Sequence, residues 1–135
     1  MTILLSDLWD YSNPEASEQR FRAALPTASA DDAVILQTQI ARTFGLRKDF
    51  SRVQQILAEI EPQLANASIE AQTHYYLELG RTYSSATHPP ESQTAETKEL
   101  ARAAYMRAVN IARNGHLDGL AIDALHMMTS EKGYL

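Results

Sequence analysis

Glu78-Leu79-Gly80-Arg81-Thr82-Tyr83 repeats, type for type, an earlier stretch of the chain, Gln39-Ile40-Ala41-Arg42-Thr43-Phe44. Each copy runs polar, aliphatic, small, Arg, Thr, aromatic. On a helix, the small residue lets a neighbouring helix come close, and the aromatic one turn later fills the space that remains. Both copies lie in segments dominated by Ala, Leu, Glu, Gln and Arg, which are good helix formers. Strand-like alternation is sustained nowhere, so the chain is expected to be all-α.

Working outward, apolar residues at helical spacing are punctuated by start and stop signals. Near the N-terminus, Leu5, Leu8 and Trp9 would share one face of a short helix. Ser12-Asn13-Pro14-Glu15 reads as a helix start, and Pro26 ends that helix just after Leu25. Asp31 and Asp32 open the next helix, with Leu36, Ile40 and Phe44 as its stripe, closing near Gly45. Asp49 caps another, whose face is Phe50, Val53, Leu57, Ile60 and Leu64. Pro62 sits inside that pattern and predicts a kink, because Leu64 keeps the register. Ser68 caps a helix carrying Ile69, Tyr76, Leu79, Gly80 and Tyr83, with Tyr76 rather than Tyr75 assigned to the core. Residues 85–93, with the pair Pro89-Pro90, predict a loop. The following helix starts near Thr94, carries Leu100, Ala101, Ala104, Tyr105, Ala108 and Ile111, and ends at Asn114-Gly115. A last helix begins near Asp118.

With these elements in place, the repeated stretches resemble the tetratricopeptide (TPR) pattern: an aromatic, then Leu-Gly, then Tyr, and later Ala and an aromatic four apart. Tyr76, Leu79, Gly80, Tyr83, Ala101, Tyr105 and Ala108 follow that pattern closely. Gln37, Ile40, Ala41, Phe44, Val53 and Leu57 form a degenerate copy. Ile40 and Leu79 are 39 residues apart, longer than the usual ~34. The resemblance spans about residues 33–128. It implies antiparallel helical hairpins stacked as a short α-solenoid, within a single domain over 1–135. Residues 1–30 would be an irregular N-terminal cap, 31–66 a first hairpin, and 68–114 a second hairpin with the long loop 85–93. Residues 116–130 would be the first helix of an incomplete third.

The same resemblance implies a function. In TPR proteins the first helices of the hairpins line a concave groove, where basic residues often hold a partner's carboxylates. Carried onto this sequence, Ile35, Thr38 and Arg42 would face the groove in one copy, and His74, Leu77, Arg81 and Ser84 in the other. Arg suits planar, bidentate recognition of carboxylate or phosphate. The competing reading pairs each arginine with a carboxylate of its own chain. The expected role is a protein-interaction module that takes a peptide or protein segment in the groove. A structural assembly element that self-associates or continues into further repeats is the alternative.

Composition narrows the field. The chain has 135 residues, 44% of them apolar, enough for one domain with a real core. A net charge of −5 argues against a nucleic-acid partner, which needs a basic surface. There is no cysteine, hence no disulfide and no thiolate metal site. The first residues lack a basic start, and Asp7 and Asp10 interrupt their apolar run, unlike a secretory signal. No stretch approaches the ~18 apolar residues of a membrane span, so no membrane partner and a cytoplasmic location are expected. No Gly-x-Ser-x-Gly elbow or Gly-rich phosphate loop occurs. Asp123 and His126, one turn apart, lack a third ligand at helical spacing. No enzyme activity, metal or cofactor is expected.

The last helix has apolar residues on more than one side: Leu120, Ile122, Leu125, Met127 and Met128. A solenoid needs a polar outer face at its end, and no second helix follows within these residues. This surface is therefore expected to be covered by a second copy, by further repeats or by a partner segment. Symmetric dimers are the commonest assemblies, so a homodimer comes first.

Overall fold

A computed structural model describes residues 4–84, 91 and 93–130, the side chains of Thr129 and Ser130 aside. These residues form seven α-helices and no strand. The helices are α1 (Leu5–Leu8), α2 (Pro14–Ala24), α3 (Ala30–Leu46), α4 (Phe50–Ile60), α5 (Ile69–Ser84), α6 (Ala95–Asn114) and α7 (Asp118–Ser130). Most of the expected loop 85–93 lies outside the described residues.

Local chemistry sets most boundaries. Asn13, Ser29, Asp49 and Thr94 each accept a hydrogen bond from the backbone N–H three residues on. Each such cap stabilises its helix by about 1 kcal/mol. Thr94 and Thr97 cap each other reciprocally. The Ser68 side chain accepts from the Ala71 N–H, while its own backbone N–H donates to Asp31 at 2.8 Å. Asp31 thus serves tertiary structure as well as the positive end of α3.

Proline acts differently from the expected kink. Helix α4 stops at Ile60, and Glu61–Asn66 continues as a 3-10 turn with Pro62 near its start. Pro62 has no N–H to donate to the carbonyl of Ala58, so the α pattern cannot pass through it. Leu64 still reaches the core. The end of α6 also differs in detail. Gly115 is not left-handed; His116 is, with φ of 59°. At position 115 an added Cβ would lie 2.6 Å from Ile69 Cγ2, so the exposed Ile69 side chain would have to shift to admit one.

Two apolar clusters form the interior, and α5 belongs to both. The first gathers Trp9, Phe21, Val34, Leu36, Ile40, Ala41, Val53, Leu57 and Ile60 with Ala71 and Tyr75 of α5. The second joins Leu77 of α5 to Ala101, Tyr105, Ala108 and Val109 of α6 and to Ala124 and Met128 of α7. Helix α5 packs against α3 on one side and α6 on the other. Gly80 makes the second contact possible, since a Cβ at this position would sit 2.5 Å from Tyr105 Cε1. The Tyr105 hydroxyl then meets Ser84 Oγ at 2.7 Å. Helix α7 packs mainly on α6.

Several apolar assignments change. Tyr75 is buried and Tyr76 only partly, the two rings meeting edge to face. Ile69 and Leu100 are exposed. A helix flanked on two sides buries two faces, so one stripe cannot describe α5. Among the described residues no helix is long and apolar enough to cross a membrane.

The Gly80 contact predicts a contrast between two glycines. Gly80→Ala gains helix propensity but forces the Tyr105 ring to move, with a net loss of about 1–3 kcal/mol. At Gly119 an added Cβ meets nothing within 4 Å, so Gly119→Ala is neutral or stabilising by up to about 1 kcal/mol. Urea unfolding of both variants measures the difference, and equal stability would contradict the close packing of α5 on α6.

Candidate functional site

A cavity of about 280 Å³ opens where α3, α5, α7 and the N-terminal segment meet. Its floor is the face of α5 that carries His74, Leu77, Glu78 and Arg81, residues three or four apart. Helix α3 supplies Gln39 and Arg42 on one side, and α7 supplies Leu120, Asp123, His126 and Met127 on the other. Leu5, Ser6, Trp9 and Tyr11 close the remaining side.

The two arginines of the repeated stretches therefore line the same cavity, but in different electrostatic states. Arg81 is ion-paired with Glu78 three residues earlier, and that carboxylate is almost fully buried. Removing Arg81 would strand the buried charge at a cost of about 3 kcal/mol, the low end for such pairs because Arg81 keeps some solvent contact. Arg42 has no carboxylate within ion-pair distance among the described residues. Its guanidinium carbon lies 5.3 Å from the Trp9 ring centroid and 5.1 Å from that of Tyr11. Such cation–π contacts are worth roughly 0.5–2 kcal/mol and leave the guanidinium donors available.

Trp9 holds this corner together. Its indole N–H donates to Gln39 Oε1 at 2.9 Å. Its ring stacks on Tyr11 with centroids 4.5 Å apart and meets Phe21 edge-on at 5.0 Å. The N-terminal segment is thus anchored by one aromatic residue reaching into the α2–α3 core.

His74 is half-buried in the floor. Burial pushes its pKa below the ordinary 6.5, Arg81 and Arg42 add to the shift, and Glu78 and Asp123 oppose it. The imidazole is consequently neutral at pH 7.

The other expected groove residues fall elsewhere. Thr38 is fully buried, its hydroxyl donating to the Ile35 carbonyl and accepting from Gln39. Ile35 is in the core, and Ser84 is held by Tyr105. Ile35 and Thr38 are out of a partner's reach because α3 is covered on three sides, by α2, α4 and α5, and Ser84 because α6 packs over the end of α5. Leu77 is buried, yet it forms part of the floor.

The apolar surface expected on α7 divides in the same way. Met128 is buried against α6, and Leu120 and Met127 face the cavity. Only Ile122 and Leu125, 64% and 41% exposed, remain on the outside.

Glu78, Gln39, Trp9, Tyr11, Asp123 and His126 also belong to the lining, although none was among the expected groove residues. Glu78 was in principle legible, lying four residues after His74 and three before Arg81. The contribution of Trp9 and Tyr11 had no sequence signal, since it depends on how the N-terminus folds back. Among the described residues no group of three metal-ligating side chains converges. No protein-family model, characterised protein or solved structure matches the chain.

The state of His74 has a consequence for stability. Its folded pKa is depressed, so just below pH 6.5 the unfolded chain binds a proton that the folded chain does not. Stability contributed by this site is full above 6.5 and declines as pH falls toward the folded value. Urea unfolding at pH 7.5 and 5.5 is expected to show a larger loss for the native chain than for His74→Gln. Equal losses would mean that His74 titrates as if in water.

Proposed function

We propose that this chain is a TPR-like protein-interaction module that holds an acidic or C-terminal carboxylate of a partner segment in the α3–α5–α7 cavity, with Arg42 as the principal contact. The observation that carries the proposal is the state of Arg42: a guanidinium without a carboxylate among the described residues, braced by two aromatic rings at the edge of a cavity. A charged-group hydrogen bond to such an arginine is stronger than a neutral one, and bidentate geometry adds selectivity. Arg81 belongs to the floor through its pair with Glu78, so its role is to keep that floor neutral and in shape.

The chain's single tryptophan lies in the cavity wall, so its fluorescence reports occupancy. Titration with peptides bearing a C-terminal or side-chain carboxylate is expected to change Trp9 emission. Arg42→Glu should weaken binding at least tenfold, while loss of the contacts on Trp9 and Tyr11 lowers the melting temperature by only about 2–8 °C and leaves the chain folded. Retained affinity in that variant would reject the assignment. Arg81→Glu is the poorer test, because it buries two like charges together.

Exposed Ile122 and Leu125 favour a second reading, in which the outer face of α7 meets a second copy. Light scattering over a concentration series is expected to show dimers that Leu125→Glu dissociates. A native chain that stays monomeric at high concentration would remove this reading.

A further inference from the structure

Four charged side chains line the cavity, and they are not equivalent. Glu78 and Arg81 neutralise each other in the floor. Arg42 on the α3 side and Asp123 on the α7 side are left, and neither has an oppositely charged group within ion-pair distance among the described residues. One positive and one negative group therefore face the cavity from opposite sides of α5. Between them lie three apolar side chains, Leu77 in the floor and Leu120 and Met127 on the α7 side, beside the self-neutralised Glu78–Arg81 pair. His74 lies within electrostatic reach of all four charges and is itself neutral at pH 7, so it leaves this dipolar layout unchanged.

We infer that the occupant is a dipolar peptide segment, with an acidic group against Arg42, an apolar side chain over Leu77, Leu120 and Met127, and a basic group against Asp123. The acidic arm rests on the function proposed above; the basic arm is additional. A purely acidic ligand would leave Asp123 repelling it across a cavity of only about 280 Å³, where charges of one sign interact at short range. A ligand with both signs satisfies both walls and is selected against partners of one sign. The volume lies just below the usual range for small-molecule pockets. It suits one apolar side chain and two charged tips of a longer segment passing over the opening.

Panning a displayed random heptapeptide library against the folded chain tests this, with Arg42→Gln and Asp123→Asn proteins panned in parallel. Asp123 is exposed, so its substitution is not expected to disturb folding, which circular dichroism checks. The expected result is enrichment of peptides with an acidic and a basic residue on either side of an apolar one. A selected peptide should bind Asp123→Asn about tenfold more weakly, and Asp123→Lys should reverse the preference at the basic position. Enriched peptides that need Arg42 but show no basic residue would overturn the dipolar inference and leave the proposed function standing. Peptides that bind equally to Arg42→Gln, or no enrichment at all, would overturn both.

Discussion

The close approach of α5 to α6 at Gly80 is the constraint on which the rest of the structure hangs. With no side chain at position 80, the Tyr105 ring lies against the α5 backbone. Its hydroxyl reaches Ser84 one turn further along. This seats α5 between α3 and α6, and Leu77 joins the second apolar cluster while Tyr75 joins the first. Helix α7 inherits its place from α6. A cavity framed by α3, α5 and α7 is therefore a product of how closely α5 can approach its neighbour.

Burial imposes its own rule on the cavity floor. Glu78 is charged and nearly enclosed, a situation that is costly unless an opposite charge is at hand. Arg81 meets that need from the next turn of the same helix. The pairing leaves Arg42, the counterpart of Arg81 in the earlier stretch, in a different condition: braced by aromatic rings and not by a carboxylate. Two arginines at matching positions in the repeated stretches are thus held differently, one by a buried carboxylate and one by aromatic rings. Elsewhere the same economy holds. Burial alone would raise the pKa of Glu18, but hydrogen bonds from Arg22 and Arg47 outweigh it and hold the carboxylate below its usual range.

Much of the fold was legible in the chain. Caps at Asp49 and Ser68, the helix starts at Ser12-Asn13-Pro14-Glu15 and near Thr94, the apolar stripe of α4 and the small-then-aromatic stretches all mark helices that the structure contains. Less could be read where one helix has several neighbours. Thr38, Thr43, Thr73 and Thr82 are buried although polar, their hydroxyls donating to carbonyls of the preceding turn. A hydroxyl satisfied by its own helix can enter a core without a distant partner, and periodicity counts such residues as surface.

What the sequence determined by itself was the helical character of the chain, most helix starts, and the matching place of Arg42 and Arg81 in two similar stretches. These are matters of local propensity, capping and spacing, all set within a few residues. What only the tertiary structure decided was which side of each helix is open. Thr38 and Ser84 were closed by neighbours, Met128 was drawn inside, and Trp9 and Tyr11 came from about thirty residues away to brace Arg42. Such outcomes depend on contacts between elements distant in the chain, and no helical period carries that information.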